Sequence, residues 1–494
     1  MAAIFNFSTP NIPDSDGFFY IRLADHFRQN GLGATDFPWL KFSVIKNLSI
    51  GIWYGFGIFL IPFSLFSNLV FGIKLAGVFL MAIALFGIFW VAKRQNFSYP
   101  AFWSLLALFS APNVLFRFLM TRPQLASLGI STFLFYGLTN NLWLIVGLAS
   151  LAIVWIHFNF FWLPIVIWLA VAVAQIIFEK RFYWKNILAV ASGVLLGWVL
   201  RPDFLRAARL VYVQTVQQTL SKQTGLPLLF GAENYPLSAN VLFGNFFVFL
   251  LLWLGGTILF FWNFKNLNAG KKVFSFSALL LSAGFFILTM VVARRVYDFW
   301  AVFGVLAIGA AVSDYLQNLR ADRNLSSWLK IIFAGSFAFL VLFSTYKNSI
   351  SLAERAYSPN ILREPAVWLG KNSQPSEVVF NLHWSDFSPL WFWNQKNYYI
   401  GGLDPIFQYA YSPELYWKFH YLSADDIAEK TCGAPACTAE MLEDAYIVLK
   451  RDFDAKYVLL KKNQNPLVYA YLSKDLRFVK VFENEDGETV FVLK

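Results

Sequence analysis

Between residues 71 and 346 the chain returns again and again to long apolar runs, and this limits what it can fold into. Ten runs read as spans: 71–92, 101–116, 124–139, 142–156, 160–178, 186–200, 241–263, 273–292, 297–313 and 327–346. A helix of about 17–25 apolar residues crosses a bilayer. In hydrocarbon only helices and closed barrels satisfy their backbone groups. Composition agrees, with 58% hydrophobic and 14% charged residues, against about 45–50% and about 25% in soluble domains. The three runs between 101 and 156 are short, so they are expected to extend into polar flanks or to lie inside the bundle. Residues 48–66, with Pro62 inside, read either as an eleventh span or as an interfacial or re-entrant segment. The expectation is a polytopic α-helical membrane bundle of ten or eleven transmembrane helices.

The net charge of +11 is the signature of positive-inside topology. Lys93, Arg94, Lys180, Arg181, Lys185, Lys265, Lys271, Lys272, Arg320, Arg323 and Lys330 fall in one set of connections, which reads as cytoplasmic. The connections at 117–123, 157–159, 201–237 and 294–298 then face outward, as does the chain after about residue 346. This places the protein in a cell inner or plasma membrane with an extracytoplasmic tail. No basic cluster stands apart from the spans, so nucleic acid is not an expected partner. Residues 1–10 lack the basic and apolar regions of a secretory signal. There is no Walker loop, no dinucleotide glycine motif and no Gly-x-Ser-x-Gly.

After residue 351 charged residues return and apolar runs shorten. Strands are expected at 377–382, 456–461, 477–483 and 489–493, and helices at 365–371, 413–421, 424–429 and 439–450. A segment of this length can bury a core of its own. The division is therefore a juxtamembrane segment at 1–47, a helical membrane domain at 48–346, and a small C-terminal α/β domain at 351–494. Cys432 and Cys437 are too few and too closely spaced for a zinc site. A small disulfide loop and two free thiols are both open readings.

The motif that points most directly at chemistry is Asp14-Ser15-Asp16, ahead of an expected amphipathic helix with Phe19, Leu23 and Phe27 on one face. Capping accounts for one Asp, not two. A paired acid suits a general base or a divalent cation, Mg or Mn. Arg117 and Arg122 lie between two apolar helices, where arginine is costly unless it is paired or functional. Their guanidinium forks suit a phosphate, and headgroup contact is the plainer use. Arg294 and Arg295 break the positive-inside pattern, which an anionic ligand, an internal pair with Asp298 or headgroup contact would each explain. The loop at 201–237, with Glu233-Asn234-Tyr235-Pro236, reads as a lid or as an interfacial segment. His157, Asp386 and Asp404 are accessory candidates. A lone His at a helix end is more often structural, and Asp after a strand more often makes an Asx turn.

Together these motifs resemble the GT-C superfamily of polytopic glycosyltransferases. Asp14-Ser15-Asp16-Gly17-Phe18-Phe19-Tyr20-Ile21-Arg22-Leu23-Ala24 looks like the acidic first-loop segment of the oligosaccharyltransferase catalytic subunit and its bacterial relatives. Residues 74–124, with Lys93-Arg94 and Arg122-Pro123-Gln124, look like the next helices of dolichyl-phosphate-mannose-type transferases. Residues 380–411, with Asp386 and Gly402-Leu403-Asp404-Pro405, resemble the tail of uncharacterised bacterial members. The resemblance implies transfer of a sugar from a polyprenyl-phosphate donor at the outer face to a glycan, lipid or protein acceptor. Asp16 and Asp14 would be the catalytic or metal-binding acids, and Arg117, Arg122, Arg294 and Arg295 would meet the lipid phosphate. The family's helix ahead of the acidic loop has no counterpart here, and Trp-Trp-Asp-Tyr-Gly is absent, so protein N-glycosylation is not implied. The alternative is a non-catalytic membrane anchor or a lipid-linked-glycan binding or assembly protein.

Overall fold

The computed structural model describes residues 2–318, 323–426 and 428–494. Arg320 lies outside the described residues. All ten apolar runs fall in helices. Among the described residues six helices are long and apolar enough to cross a membrane, or up to eight if each of two bent helix pairs is one span. The chain is an integral membrane protein. The helices Pro123–Thr139 and Trp143–Ile156 are shorter, with 17 and 14 residues.

The chain forms two compact units, each assembled from separate stretches of sequence. The first comprises Met1–Pro13, Lys74–Arg201 and Ala232–Ala356; the second comprises Asp14–Ile73, Pro202–Gly231 and Tyr357–Lys494. These divisions differ from the boundaries at 47/48 and 346/351 drawn from composition, because hydropathy reports environment and not which segments pack together.

The first unit is a helical bundle. The run at 101–116 is two helices, Pro100–Phe109 and Pro112–Phe118, bent by 100°. Pro112 forces the break, since Ala111 before it is extended at φ −159° and ψ 156°, as a residue preceding proline prefers. The helix Tyr297–Asn318 is almost wholly enclosed as far as Asp314. Its Trp300 is fully buried, stacked on Phe246 at 5.4 Å and set edge-on to Phe249 at 5.3 Å. Lys74, buried near the start of helix Leu69–Arg94, donates to the carbonyls of Asn6 at 3.0 Å, Asn11 at 3.2 Å and Thr9. A single ammonium thus satisfies three backbone acceptors and holds the first residues of the chain on this helix.

The second unit is built on a five-stranded sheet in the order β2-β1-β5-β7-β6. Its strands are β1 (Val378–Asn381), β2 (Tyr398–Tyr399), β5 (Ala455–Lys461), β6 (Phe478–Glu483) and β7 (Glu488–Leu493). A separate ribbon pairs β3 (Lys430–Thr431) with β4 (Glu443–Asp444). β1 runs parallel to β2 and β5, while β7 is antiparallel to β5 and β6. The expected strands all form, and β2 is added at the edge. Residues 39–41 extend that edge: Tyr399 N–H donates to Trp39 O at 2.8 Å and Lys41 N–H to Tyr399 O at 3.1 Å. Two helix expectations are corrected. Residues 424–426 and 428–429 are turn and bend, and 439–450 divides into a short turn, β4 and the helix Ala445–Arg451. Cys432 and Cys437 are disulfide-bonded.

Residues 48–66 form no single spanning helix. They break into Ile45–Leu48, Gly51–Trp53, Tyr54–Phe59 and Ile61–Leu65. Ser49 at φ 64° ends the first turn, and Pro62 has no N–H to continue a helix. The helix Asp16–Asn30 is corrected as well. It is not a half-exposed interfacial helix, because Phe18, Phe19, Ile21, Leu23, Ala24 and Phe27 are all buried. Phe18 packs on Phe392 at 5.2 Å, Phe19 on Trp391 at 5.5 Å, and Tyr20 on Phe56 at 4.9 Å.

Candidate active site

The acid pair sits in the second unit at the first turn of Asp16–Asn30. Ser15 is the N-cap and its side chain makes no cap bond. Asp14 is buried and Asp16 half-buried. The helix behind them is rigidly placed. Arg22 donates through Nε to Phe392 O at 2.9 Å and pairs with Asp25 at 2.8 Å; Arg28 pairs with Asp25 at 2.6 Å. Tyr357 faces the pair and is hydrogen-bonded to Ser15. Burial, then the Asp14, Asp16 and Asp386 carboxylates, push its phenol up from the ordinary value, against that bond. Tyr357 therefore stays a neutral phenol near three carboxylates. No sequence signal singled it out, since a tyrosine after a long helix has no distinguishing pattern.

Asp386 is buried and paired with Lys461 at 2.8 Å. Both stand at the C-terminal ends of the parallel strands β1 and β5, where α/β sheets commonly place function. Asp404 has a structural task. It caps Pro405–Tyr411 through Ile406 N–H at 3.1 Å and accepts from Gln218 at 3.2 Å. Among the described residues no three His, Cys, Asp or Glu side chains converge as a metal cage. Proteins commonly hold Mg²⁺ through one or two carboxylates.

The arginines lie in the first unit and are brought together. Arg117 is buried and donates through Nε to Asp298 Oδ2 at 2.8 Å, through Nη1 to Glu233 Oε2 at 2.9 Å, and through Nη2 to Gln124 Oε1. Arg122 Nη1 meets the same Glu233 oxygen at 2.5 Å. Gln124 Nε2 donates to Asp298 Oδ2 at 2.6 Å and to Arg295 O at 2.7 Å, while Arg295 Nη1 donates to Asn234 Oδ1 at 3.1 Å. Arg294 is turned to the Ala232 carbonyl at 2.6 Å. Asp298 thus pairs with Arg117 and not with its neighbours Arg294 and Arg295. Burial pushes Glu233 up, but Arg122, Arg117 and Arg295 outweigh it and hold the carboxyl far below its usual range. Four arginines against Glu233 and Asp298 leave the cluster net positive. His157 joins it, with Nδ1 3.2 Å from Ser127 Oγ and its ring 4.0 Å from that of Phe160. Burial, then Arg295, Arg117 and Arg122, hold it well below the ordinary histidine value, so it is a neutral hydrogen-bonding group there.

No family model and no curated protein matches the chain. Solved structures do. The oligosaccharyltransferase of Archaeoglobus fulgidus in its apo form superposes with a TM-score of 0.54 at 12% identity, over 98% of this chain and 71% of that one. ArnT from Cupriavidus metallidurans superposes in its apo state at 0.50 with 12% identity, and bound to undecaprenyl phosphate at 0.51 with 11% identity. Both ArnT matches cover 99% of this chain and 95% of the other. The chain has a GT-C-like fold. The matches extend over the helical bundle and the C-terminal sheet region.

Proposed function

We propose that this GT-C-like protein is an integral membrane glycosyltransferase that moves a sugar from a polyprenyl-phosphate donor to an acceptor hydroxyl at the outer face. The acceptor oxygen forms a bond to the anomeric carbon as the bond from that carbon to the phosphate oxygen breaks. The electron pair leaves with the polyprenyl phosphate, and the acceptor proton passes to Asp16. Asp14 supports Asp16, with Tyr357 as a neutral neighbour of the pair. In the first unit, Arg117, Arg122, Arg294 and Arg295 are assigned to the phosphate of a polyprenyl lipid. In the second, a divalent cation held by Asp14 and Asp16 would supply Lewis-acid stabilisation of a leaving group's charge. One observation carries the reading: two acids flank Ser15 at the head of a buried helix in a GT-C-like fold.

The test is release of polyprenyl phosphate in proteoliposomes, followed by mass spectrometry so that the sugar need not be known. Asp16→Asn is expected to lower release by roughly 10²–10⁴-fold, the range for a lost general base, with unfolding unchanged. Full activity in that variant removes the central claim. Chelation with EDTA separates the two roles of the pair, since it abolishes transfer only if a metal is held there. A second reading, a non-catalytic lipid-linked-glycan binding or assembly protein, is favoured by one feature: Glu233 and Asp298 already hold two of the arginines.

A further inference from the structure

The second unit carries a cleft of about 800 Å³ between the helix Arg363–Asn372 and the edge of β6 and β7. We propose that it binds a neutral saccharide and is the seat of the glycosyl acceptor. Three features argue for this ligand.

The first is charge. Arg363, Lys371 and Lys461 line the cleft together with Glu364, Asp486 and Glu488, so the cations and carboxylates balance. A cleft with no net field does not concentrate an ion; it selects through placed hydrogen bonds.

The second is that these polar groups are held in place. Asn484 Nδ2 donates to Glu364 at 3.1 Å and to Glu488 at 3.0 Å, and its Oδ1 accepts from the Glu488 N–H at 2.9 Å. Glu488 also accepts from Leu362 N–H at 3.0 Å, and Lys461 is fixed by Asp386. Fixed donors and acceptors on a rigid sheet edge suit the hydroxyl rim of a sugar ring, which offers both.

The third is an aromatic floor. Trp368 is half-exposed in the cleft, with Tyr457 at 6.3 Å and Phe482 at 6.2 Å bracing it. An indole ring beside paired polar groups gives an apolar surface for the C–H face of a sugar.

The cleft also has an address. Its wall includes Ser358 and Lys461. Ser358 follows Tyr357, whose phenol is pushed up by burial and then by the Asp14, Asp16 and Asp386 carboxylates, and Lys461 ends on Asp386. The rings bound here would be those remote from the reacting hydroxyl, which alone has to reach Asp16. The acceptor role rests on the transferase reading; the binding of saccharide does not.

The experiment uses the full chain in nanodiscs and saturation-transfer NMR with neutral oligosaccharides of glucose, mannose and N-acetylglucosamine, with uronic acid oligomers as the charged comparison. Neutral sugars are expected to receive saturation. Val367→Trp fills the cleft from an exposed helix position and leaves the core untouched, and it should weaken binding by at least roughly tenfold. Asp16→Asn should bind as the native protein does. Saturation of no neutral sugar, equal binding in Val367→Trp, or binding of the uronic oligomers alone each overturns the proposal. Transfer activity without binding here removes this site and leaves the enzyme reading intact. Binding without transfer keeps a saccharide site and removes the enzyme reading.

Discussion

Glu233 gives Arg117 and Arg122 a carboxylate where a donor phosphate would give them phosphoryl oxygens. Its Oε2 accepts from both guanidinium groups, which is the geometry an anionic oxygen of a lipid phosphate would take. Its depressed pKa means that it stays ionised down to strongly acidic pH, so the stability it contributes is fully present above the ordinary Glu value and is lost progressively as pH falls from there through the depressed one. Glu233→Gln keeps the shape and removes the charge. Two outcomes divide the readings. If the arginines serve a phosphate, undecaprenyl phosphate binds the variant about tenfold more tightly, as a titration of the purified protein would show, at a cost of about 1–3 kcal/mol in stability. If they are purely structural, stability falls and binding does not improve. Arg117 and Arg122 were legible in the sequence because a buried arginine at the end of an apolar helix needs a reason. Their partners were not, since Glu233 and Asp298 lie 116 and 181 residues from Arg117 and no local spacing connects them.

At the scale of the element, backbone approach sets one of the bundle's close contacts. The helices Trp143–Ile156 and Trp184–Val199 cross at Gly193, where an added Cβ would stand 2.4 Å from Gly147 O and 2.7 Å from Ser150 Cβ. At Gly197, one turn on, it would stand 2.8 Å from Leu151 O. Two glycines four residues apart on one face let membrane helices pack backbone to backbone. Gly193→Val is expected to force the helices apart and cost about 1–3 kcal/mol, read as a lower midpoint of thermal unfolding in detergent. Gly255→Ala is the comparison, since nothing lies within 4 Å of its added Cβ, and it should leave the midpoint unchanged. The apolar runs were readable because hydropathy is a property of each segment alone. Which helices touch is a property of pairs, and the Gly193-x-x-x-Gly197 spacing becomes evident only with Gly147 opposite it. The two open readings of 48–66 have the same root. The segment's hydropathy matches a span, but the left-handed Ser49 and Pro62 turn it into short helices that bury Trp53, Phe56 and Leu60.

At the scale of the whole molecule, the tail that reads as an independent domain is half of one. The core shared by Val378, Phe380, Val458, Leu460 and Phe491 is almost entirely the tail's own, with Phe42 as the outside contribution. The other layer is not. Trp391 packs on Phe19 and, at 4.9 Å, on Phe37; Phe37 also meets Phe387 at 6.0 Å; Phe18 covers Phe392. Residues 39–41 supply hydrogen bonds to the β2 edge, and Trp39 Nε1 donates to Gln395 O at 2.7 Å. Burying a large side chain is worth about 1.5–3 kcal/mol. Losing Phe18, Phe19, Phe37 and Phe42 together therefore removes roughly 6–12 kcal/mol, comparable with the whole stability of a domain, about 5–15 kcal/mol. A fragment of residues 351–494 is expected to keep secondary structure but lose fixed packing: ANS fluorescence rises, near-ultraviolet circular dichroism collapses, and thermal unfolding loses its cooperativity. Joining residues 14–60 to that fragment through a flexible linker should restore part of the cooperative transition. A sharp transition in the fragment alone would mean that the tail does not depend on the helix that bears Asp16, and that helix could then move without unfolding the sheet. The dependence expected here ties the acid pair to the sheet that carries Asp386 and Lys461, so substitutions in that aromatic layer should lower transfer and stability together.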